Sequence, residues 1–214
     1  QTRFDLIVNG ERYPVVTNLV GLFNVSNTLA ALAAVYAVGI PLEDATKAVA
    51  SLAGVTGRLE IVPGASDIGV YVDFAHSPDA MEKVLSVVRE FTQGRVISVF
   101  GGAGEREHEK RPIMARIGTE LSDYVVLTTD DTGKEPQEQI IAMMLAGIEK
   151  DNYEYIENRK EAIQHAIAIA EPGDTVILLG RGHEADYNDR GRMIRLLDSE
   201  VAAEAIELRN ERLS

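Results

Sequence analysis

The sequence has no cysteine and no tryptophan, and aromatic residues make up only 6% of it. Without cysteine there is no disulfide framework and no thiolate metal site. Positive charge is scarce as well: 21 lysines and arginines face 34 acidic residues, a net charge of −13. That balance excludes the basic face that non-specific nucleic-acid binding needs, so no nucleic-acid partner is expected. No apolar run reaches membrane-spanning length and no signal peptide is present, so the expectation is a cytoplasmic protein with no membrane partner. The chain opens at Gln1, inside a strand-like pattern, which suggests a piece of something longer.

What is there can build a core of normal size: 214 residues, 45% hydrophobic. The most informative stretch is Val99–Pro112, VFGGAGEREHEKRP. Arg95–Phe100 reads as a buried strand stopped by glycine. Gly101, Gly102 and Gly104 let the backbone turn sharply and approach a ligand. Arg106, Lys110 and Arg111 follow, alternating with glutamates, and Pro112 suits the first turn of a helix over Ile113–Leu121. Strand, glycine turn, cations and helix start together make an anion site. The alternative is an ordinary strand-to-helix loop with a solvated charge run.

In chain order, Asn9-Gly10 between two alternating segments predicts a hairpin. An Ala/Leu-rich helix over Thr28–Val38 follows, preceded by Asn24 and Asn27, which are equally at home as caps. Its alanines Ala30, Ala31, Ala33 and Ala34 predict close helix packing. Leu42–Leu52 is a second, amphipathic helix, and Val55–Val62 reads as a connector. From Gly69 on, strands and helices alternate: strand 69–74, helix 78–91 with Ser77 placed to cap it, strand 95–100, helix 113–121, strand 124–128, helix 137–149, a short strand near 153–156, helix 159–171, strand 175–179, and a terminal helix 199–209. Asn158 and Glu161 have capping-box spacing. The pattern predicts an α/β fold: a Rossmann-like, mostly parallel sheet with helices on both faces, preceded by a small hairpin-plus-two-helix unit.

Four strands end in unusual polar residues: Asp73, His76, Ser77 and Asp79; the glycine and cation loop; Thr129–Glu135; and Gly180–Glu184. Parallel strands deliver such loops to one edge, where ligands bind. Each residue alone has an ordinary explanation as a cap, a turn or a first-turn charge. His183 beside Glu184 is too close in sequence for a metal pair on one helix face, so no metal site is expected.

With these residues in view, the chain resembles the C-terminal half of the Mur ligases, the ATP-dependent amino-acid-adding enzymes of peptidoglycan synthesis, and among them the ligase that adds the third residue. The motifs run nearly end to end. GLFNVSNTLAA (Gly21–Ala31) is similar to the adenine-side asparagine motif and TGRLE (Thr56–Glu60) to PGR-x-E. VDFAHSPDAM (Val72–Met81) is similar to DYAH-x-PDAL and FGGAGEREHEKRP (Phe100–Pro112) to FGCGGDRD-x-x-KRP. TTDDTGKEP (Thr128–Pro136) stands where the family has T-x-DNPR-x-E-x-P. GRGHE (Gly180–Glu184) and DSEVAAEAI (Asp198–Ile206) stand for GKGHE and DREVAREAL.

The resemblance implies that residues 1–60 are the end of the central ATPase domain and residues 61–214 the Rossmann-like C-terminal domain. ATP and Mg2+ are implied as cofactors, and a UDP-N-acetylmuramoyl dipeptide and a diamino acid as substrates, joined through an acyl phosphate. Asn24 and Asn27 would lie near adenine, and Arg58, Asp73, His76, Lys110 and Arg111 near ribose and phosphates. Arg58, His76 and Lys110 would be the catalytic set. Arg106, Asp130, Asp131, Gly133, Gly180 and Glu184 would line the amino-acid pocket.

The chain has no G-x-x-x-x-G-K-[ST] phosphate loop. The N-terminal domain, the rest of the central domain and most magnesium ligands would therefore be partners supplied by a longer protein, and this stretch alone would be inactive. The DNPR arginine is Gly133 here and its asparagine Asp131. A pocket that loses a cation and keeps carboxylates suits a side chain ending in ammonium, so L-lysine is expected over meso-diaminopimelate, with ornithine behind it. Lys134 could supply the missing cation, though a lysine clamps a carboxylate less well than an arginine. The rival readings are a folylpolyglutamate synthetase-like ligase and a non-catalytic nucleotide-binding module.

Overall fold

A computed structural model describes residues 1–213. The chain forms two compact units, residues 1–55 and residues 56 onward. The division falls at Val55/Thr56, ahead of the expected 60/61 boundary, because Thr56–Glu60 pack with the second unit.

In the first unit β1 (Thr2–Val8) and β2 (Glu11–Thr17) pair as an antiparallel hairpin. Asn9 and Gly10 both take positive φ, which a two-residue hairpin turn of this hand requires. Helices α1 (Leu22–Ala37) and α2 (Leu42–Ser51) follow. Val15, Leu32 and Ala45 form a small core with Phe4, Leu6, Val35 and Val49 at its margin. Helix α1 starts six residues before the expected Thr28, so Asn24 and Asn27 are helical and do not cap it. Its buried stripe is Asn24, Thr28 and Leu32, one residue per turn. Ala30, Ala31, Ala33 and Ala34 lie off that stripe and are exposed, contrary to the close packing expected of them.

The second unit is an α/β sandwich. Its elements are β3 (Glu60–Ile61), β4 (Gly69–Asp73), α3 (Pro78–Phe91), β5 (Val96–Phe100), α4 (Lys110–Leu121), β6 (Tyr124–Leu127), α5 (Gln137–Leu145), β7 (Tyr153–Tyr155), α6 (Arg159–Ala168), β8 (Thr175–Leu179), β9 (Asp186–Asp189), β10 (Arg192–Arg195) and α7 (Asp198–Leu213). The central sheet has the order β3-β4-β8-β5-β6-β7, parallel except where β3 meets β4. All five residues of β5 and of β8 are buried, as expected of parallel strands covered on both faces. On one face Val70, Val72, Ile97, Val99, Val176 and Leu178 pack against α6 and α7. On the other, the Phe100 ring lies against Gly118 of α4, with α3 and α5 flanking α4.

Two local expectations change. Ser77 sits at the N-cap of α3, but its side chain makes no capping hydrogen bond. Asn158 does cap α6, accepting from the Glu161 amide. The hairpin β9–β10 was not expected; the Asp-Arg-Gly turn at 189–191, with positive φ at Arg190 and Gly191, is its sequence signal. Among the described residues no helix is long and apolar enough to cross a membrane.

Candidate functional site

Strands β4, β5, β6 and β8 run parallel, so the loops leaving their carboxyl ends emerge at one edge of the sheet. These loops carry Asp73–Asp79, Gly101–Glu109, Thr128–Glu135 and Gly180–Glu184.

The first focus is the Phe74 ring. The Arg58 guanidinium carbon sits 4.6 Å above its centroid, a cation–π contact. The His76 ring meets it edge-on at 4.7 Å and the His183 ring lies 5.9 Å away. His76 is exposed, with Nδ1 2.8 Å from the Phe74 carbonyl. Asp73, in contrast, is only 5% exposed. Its Oδ2 accepts from the Leu59 amide at 2.7 Å and its Oδ1 from the Ala75 amide at 2.8 Å. Burial pushes its carboxyl pKa up, against those two amide donors and the Arg58 charge. Each Asp73 oxygen therefore holds one backbone amide inside the protein.

Gly57 and Gly182 bring two of the loops together. A Cβ on Gly57 would run into the backbone of Gly182 and His183, and one on Gly182 would meet the Gly57 carbonyl and Phe74 at 2.9 Å each. Thus TGRLE, DFAH and GRGHE interlock through bare backbone, a close approach that only glycine permits.

The cation loop divides its residues. Arg106 is exposed and forms no ion pair among the described residues. Lys110, half-buried, pairs with Glu107 at 3.0 Å. Arg111, expected beside the phosphates, is turned inward. Its side chain is 2% exposed and grips Glu135 through both terminal nitrogens at 2.6 Å, with the Ala103 carbonyl at 2.9 Å. The helix starts at Lys110, earlier than expected, and this rotates Arg111 to the buried side. The Arg111 guanidinium pulls the Glu135 carboxyl down to about 2.

In the β6 loop Asp130 is buried at the sheet edge. Its Oδ1 accepts from the Asp131 amide at 2.6 Å, and its other oxygen fills the space where a side chain on Gly180 would stand. Asp131 Oδ1 accepts from the Gly133 amide at 3.1 Å. Gly133 has φ +57, and the carboxylate of Glu105 occupies the place its Cβ would need. Glu184 is exposed; its carbonyl takes a hydrogen bond from Arg181 at 3.1 Å. Arg181 is buried, stacked on Tyr187 at 4.5 Å and 3.8 Å from Asp198. Asp198 also pairs with buried Arg159 at 2.6 and 2.8 Å, and Arg159 donates to the carbonyls of Thr129 and Leu179. Burial opposes the Arg159 charge, but Asp198 outweighs it and the pKa stands raised.

Asn24 and Asn27, in the first unit, bond to each other at 3.2 Å, and Asn24 donates to the Val20 carbonyl at 2.8 Å. Among the described residues no three histidine or acidic side chains converge as metal ligands. Sequence reasoning assigned no role to Leu59, Phe74, Glu135, Arg159, Tyr187 and Asp198, although Leu59, Phe74, Glu135 and Asp198 lie inside motifs already singled out.

The family model described as "Mur ligase, glutamate ligase domain" matches residues 57–182. The UDP-N-acetylmuramoyl-L-alanyl-D-glutamate–2,6-diaminopimelate ligase 1 of Clostridium acetobutylicum is 44% identical over 209 residues, 96% of this chain and 43% of its own length. A solved structure of a UDP-N-acetylmuramoyl-L-alanyl-D-glutamate–2,6-diaminopimelate ligase superposes with a TM-score of 0.72 at 32% identity, covering 97% of this chain and 43% of that one. Folylpolyglutamate synthase from Thermotoga maritima shares the fold alone, at 23% identity, TM-score 0.62 and 83% coverage, against 40% of its own length. The chain thus spans less than half of the relatives it matches. With Gly57 and Gly182, the two glycines through which its loops interlock, standing at the ends of the matched 126-residue span, the chain belongs to the Mur ligase family.

Proposed function

We propose that this chain is the amine-delivering half of an ATP-dependent ligase that joins a diamino acid to UDP-N-acetylmuramoyl-L-alanyl-D-glutamate. The observation that carries the reading is the delivery to one sheet edge of a cationic and aromatic cluster (Arg58, Phe74, His76) and of loops that carry the acidic residues Asp130, Asp131 and Glu184. ATP supplies the phosphoryl group that turns the D-glutamyl carboxylate into an acyl phosphate. Arg58, His76 and Lys110 offer exposed or half-buried polar groups for the negative charge that develops on phosphoryl oxygens. Arg106, a planar fork on the glycine turn with no ion pair among the described residues, suits the α-carboxylate of the incoming amino acid. The carboxylates of Asp130, Asp131 and Glu184 suit its ammonium groups. Arg111, engaged with Glu135 inside the protein, supports the site without facing a ligand.

The relatives' names carry 2,6-diaminopimelate, not the L-lysine expected from Gly133, and make diaminopimelate the first reading for the amine. One observation keeps lysine as a second: position 133 has no side chain, and the carboxylate of Glu105 stands where one would be. A distal substrate carboxylate there would face acid and not arginine.

The protein extended to the length of its relatives is assayed for phosphate release with ATP, the UDP-dipeptide, and diaminopimelate, L-lysine or ornithine in turn. Turnover with a diamino acid is expected. Turnover with none of them, or only with a folate acceptor, overturns the reading. Competition between diaminopimelate and lysine decides the amine.

A further inference from the structure

We infer that Glu135 is a positioning residue: its carboxylate fixes the backbone of residues 103–105 and so sets where Arg106 stands. For its kinetic consequence the inference rests on the ligase reading, with Arg106 as the fork for the amino-acid carboxylate.

The loop after β5 lies flush on the loop after β6. A Cβ on Gly104 would run into the backbone of Thr132, and one on Gly133 into the Glu105 carboxylate. Three consecutive residues are then held, each by one backbone group. The Ala103 carbonyl accepts from Arg111 Nη2 at 2.9 Å. The Gly104 amide donates to the Asp131 carbonyl at 2.7 Å. The Glu105 amide donates to Glu135 Oε2 at 2.9 Å. Glu105 has φ +53, in the left-handed region that L side chains avoid, so its backbone needs such a tie. Glu135 governs two of these three bonds, one directly and one through Arg111, which it grips with both oxygens. The next residue along, Arg106, is exposed and forms no ion pair among the described residues. Its place is therefore set by its backbone. Because Gly104 is tied to Asp131 itself, the same bonds keep the Arg106 cation and the Asp131 carboxylate at one spacing. The carboxylate and the ammonium of a single amino acid call for a fixed spacing of this kind.

The test is a double-mutant cycle in the ligase extended to the length of its relatives: Glu135→Gln, Arg106→Ala and both together, with the diamino acid and ATP varied in turn. Whichever way the glutamine amide turns, its NH2 faces an N–H of Arg111, so the grip opens. Glu135→Gln is expected to raise the KM of the diamino acid about tenfold and to leave that of ATP within about twofold. In the Arg106→Ala background the same change is expected to raise the diamino-acid KM less than about twofold, because the group it places is gone. An equal loss in both backgrounds means that Glu135 acts elsewhere, and overturns the inference. So does a Glu135→Gln enzyme with unchanged diamino-acid kinetics. Glu135→Asp, which keeps the charge but is one methylene short, replaces Glu135→Gln if the latter does not fold. Amide hydrogen exchange in the same proteins tests the hold apart from turnover. Faster exchange at residues 103–106, with Val96–Phe100 of β5 unchanged, is expected in Glu135→Gln. Equal exchange in variant and wild type overturns the inference. Where the exchange difference is seen, an inactive wild type, or an Arg106→Ala enzyme with unchanged diamino-acid KM, leaves the hold standing and counts against the ligase reading alone.

Discussion

Arg111 and Glu135 meet as a two-pronged pair, Nη1 to Oε1 and Nη2 to Oε2, both at 2.6 Å. This pair ties the start of α4 to the loop after β6, and Glu135 also accepts from the Glu105 amide at 2.9 Å. It sets an acid sensitivity. The folded-state pKa of Glu135 lies near 2, below the ordinary glutamate value. The stability it contributes is therefore full above about pH 5 and is lost as pH falls toward 2, on the order of 2–3 kcal/mol. Urea midpoints measured from pH 7 down to pH 3 are expected to fall, and Glu135→Gln is expected to flatten part of that fall.

Asp198 serves two buried arginines, Arg159 and Arg181. Asp198→Asn leaves surplus positive charge in the core and is expected to cost about 3–5 kcal/mol. Replacing Arg159 and Asp198 together by methionine and leucine is expected to cost less than Asp198→Asn alone. Denaturant unfolding of the three variants checks the order.

Gly133→Ala is expected to destabilise by about 1–2 kcal/mol from its left-handed backbone alone. A further penalty comes from the Glu105 carboxylate that occupies the new methyl's place. In a Glu105→Ala background that second part is expected to vanish, so the two changes do not add. A shift in the unfolding midpoint that is equal in both backgrounds would show that Glu105 gives way freely.

Arg106→Ala in the full-length ligase is expected to raise the KM of the incoming diamino acid at least tenfold and to change that of ATP little. The exposed side chain has no ion pair among the described residues to lose, so stability is expected to stay within about 0.5 kcal/mol. Steady-state kinetics with each substrate varied in turn distinguishes this from a surface arginine of no consequence.

The alternation of apolar strands and periodic helices from Gly69 onward made the fold legible, because period and length separate buried strands from helices without tertiary knowledge. The sheet-edge loops were legible for the same reason, since parallel strands fix where their loops emerge. The role of Arg111 and the tie between Asp73 and Leu59 were not. Three residues of earlier helix start turn Arg111 from the open edge to the core, and helix starts are where local pattern is weakest. The Val55–Val62 segment reads as a connector because the constraint that shapes it, the Asp73–Leu59 bond, spans fourteen positions. The alanines of α1 misled by composition: small residues permit close packing but do not require it.

The strand order has a consequence for synthesis. Strands β4 and β5 are consecutive in the chain, yet β8 lies between them and pairs with both. A nascent chain that has reached β7 holds β4 and β5 with a gap one strand wide, their facing hydrogen-bonding edges open. Only when Thr175–Leu179 leaves the ribosome can that gap be filled, so the sheet closes late and in one step. A ribosome stalled, or a chain cut, between Tyr155 and Thr175 leaves two apolar half-sheets with raw edges, the kind of species that chaperones bind and that aggregates when they do not.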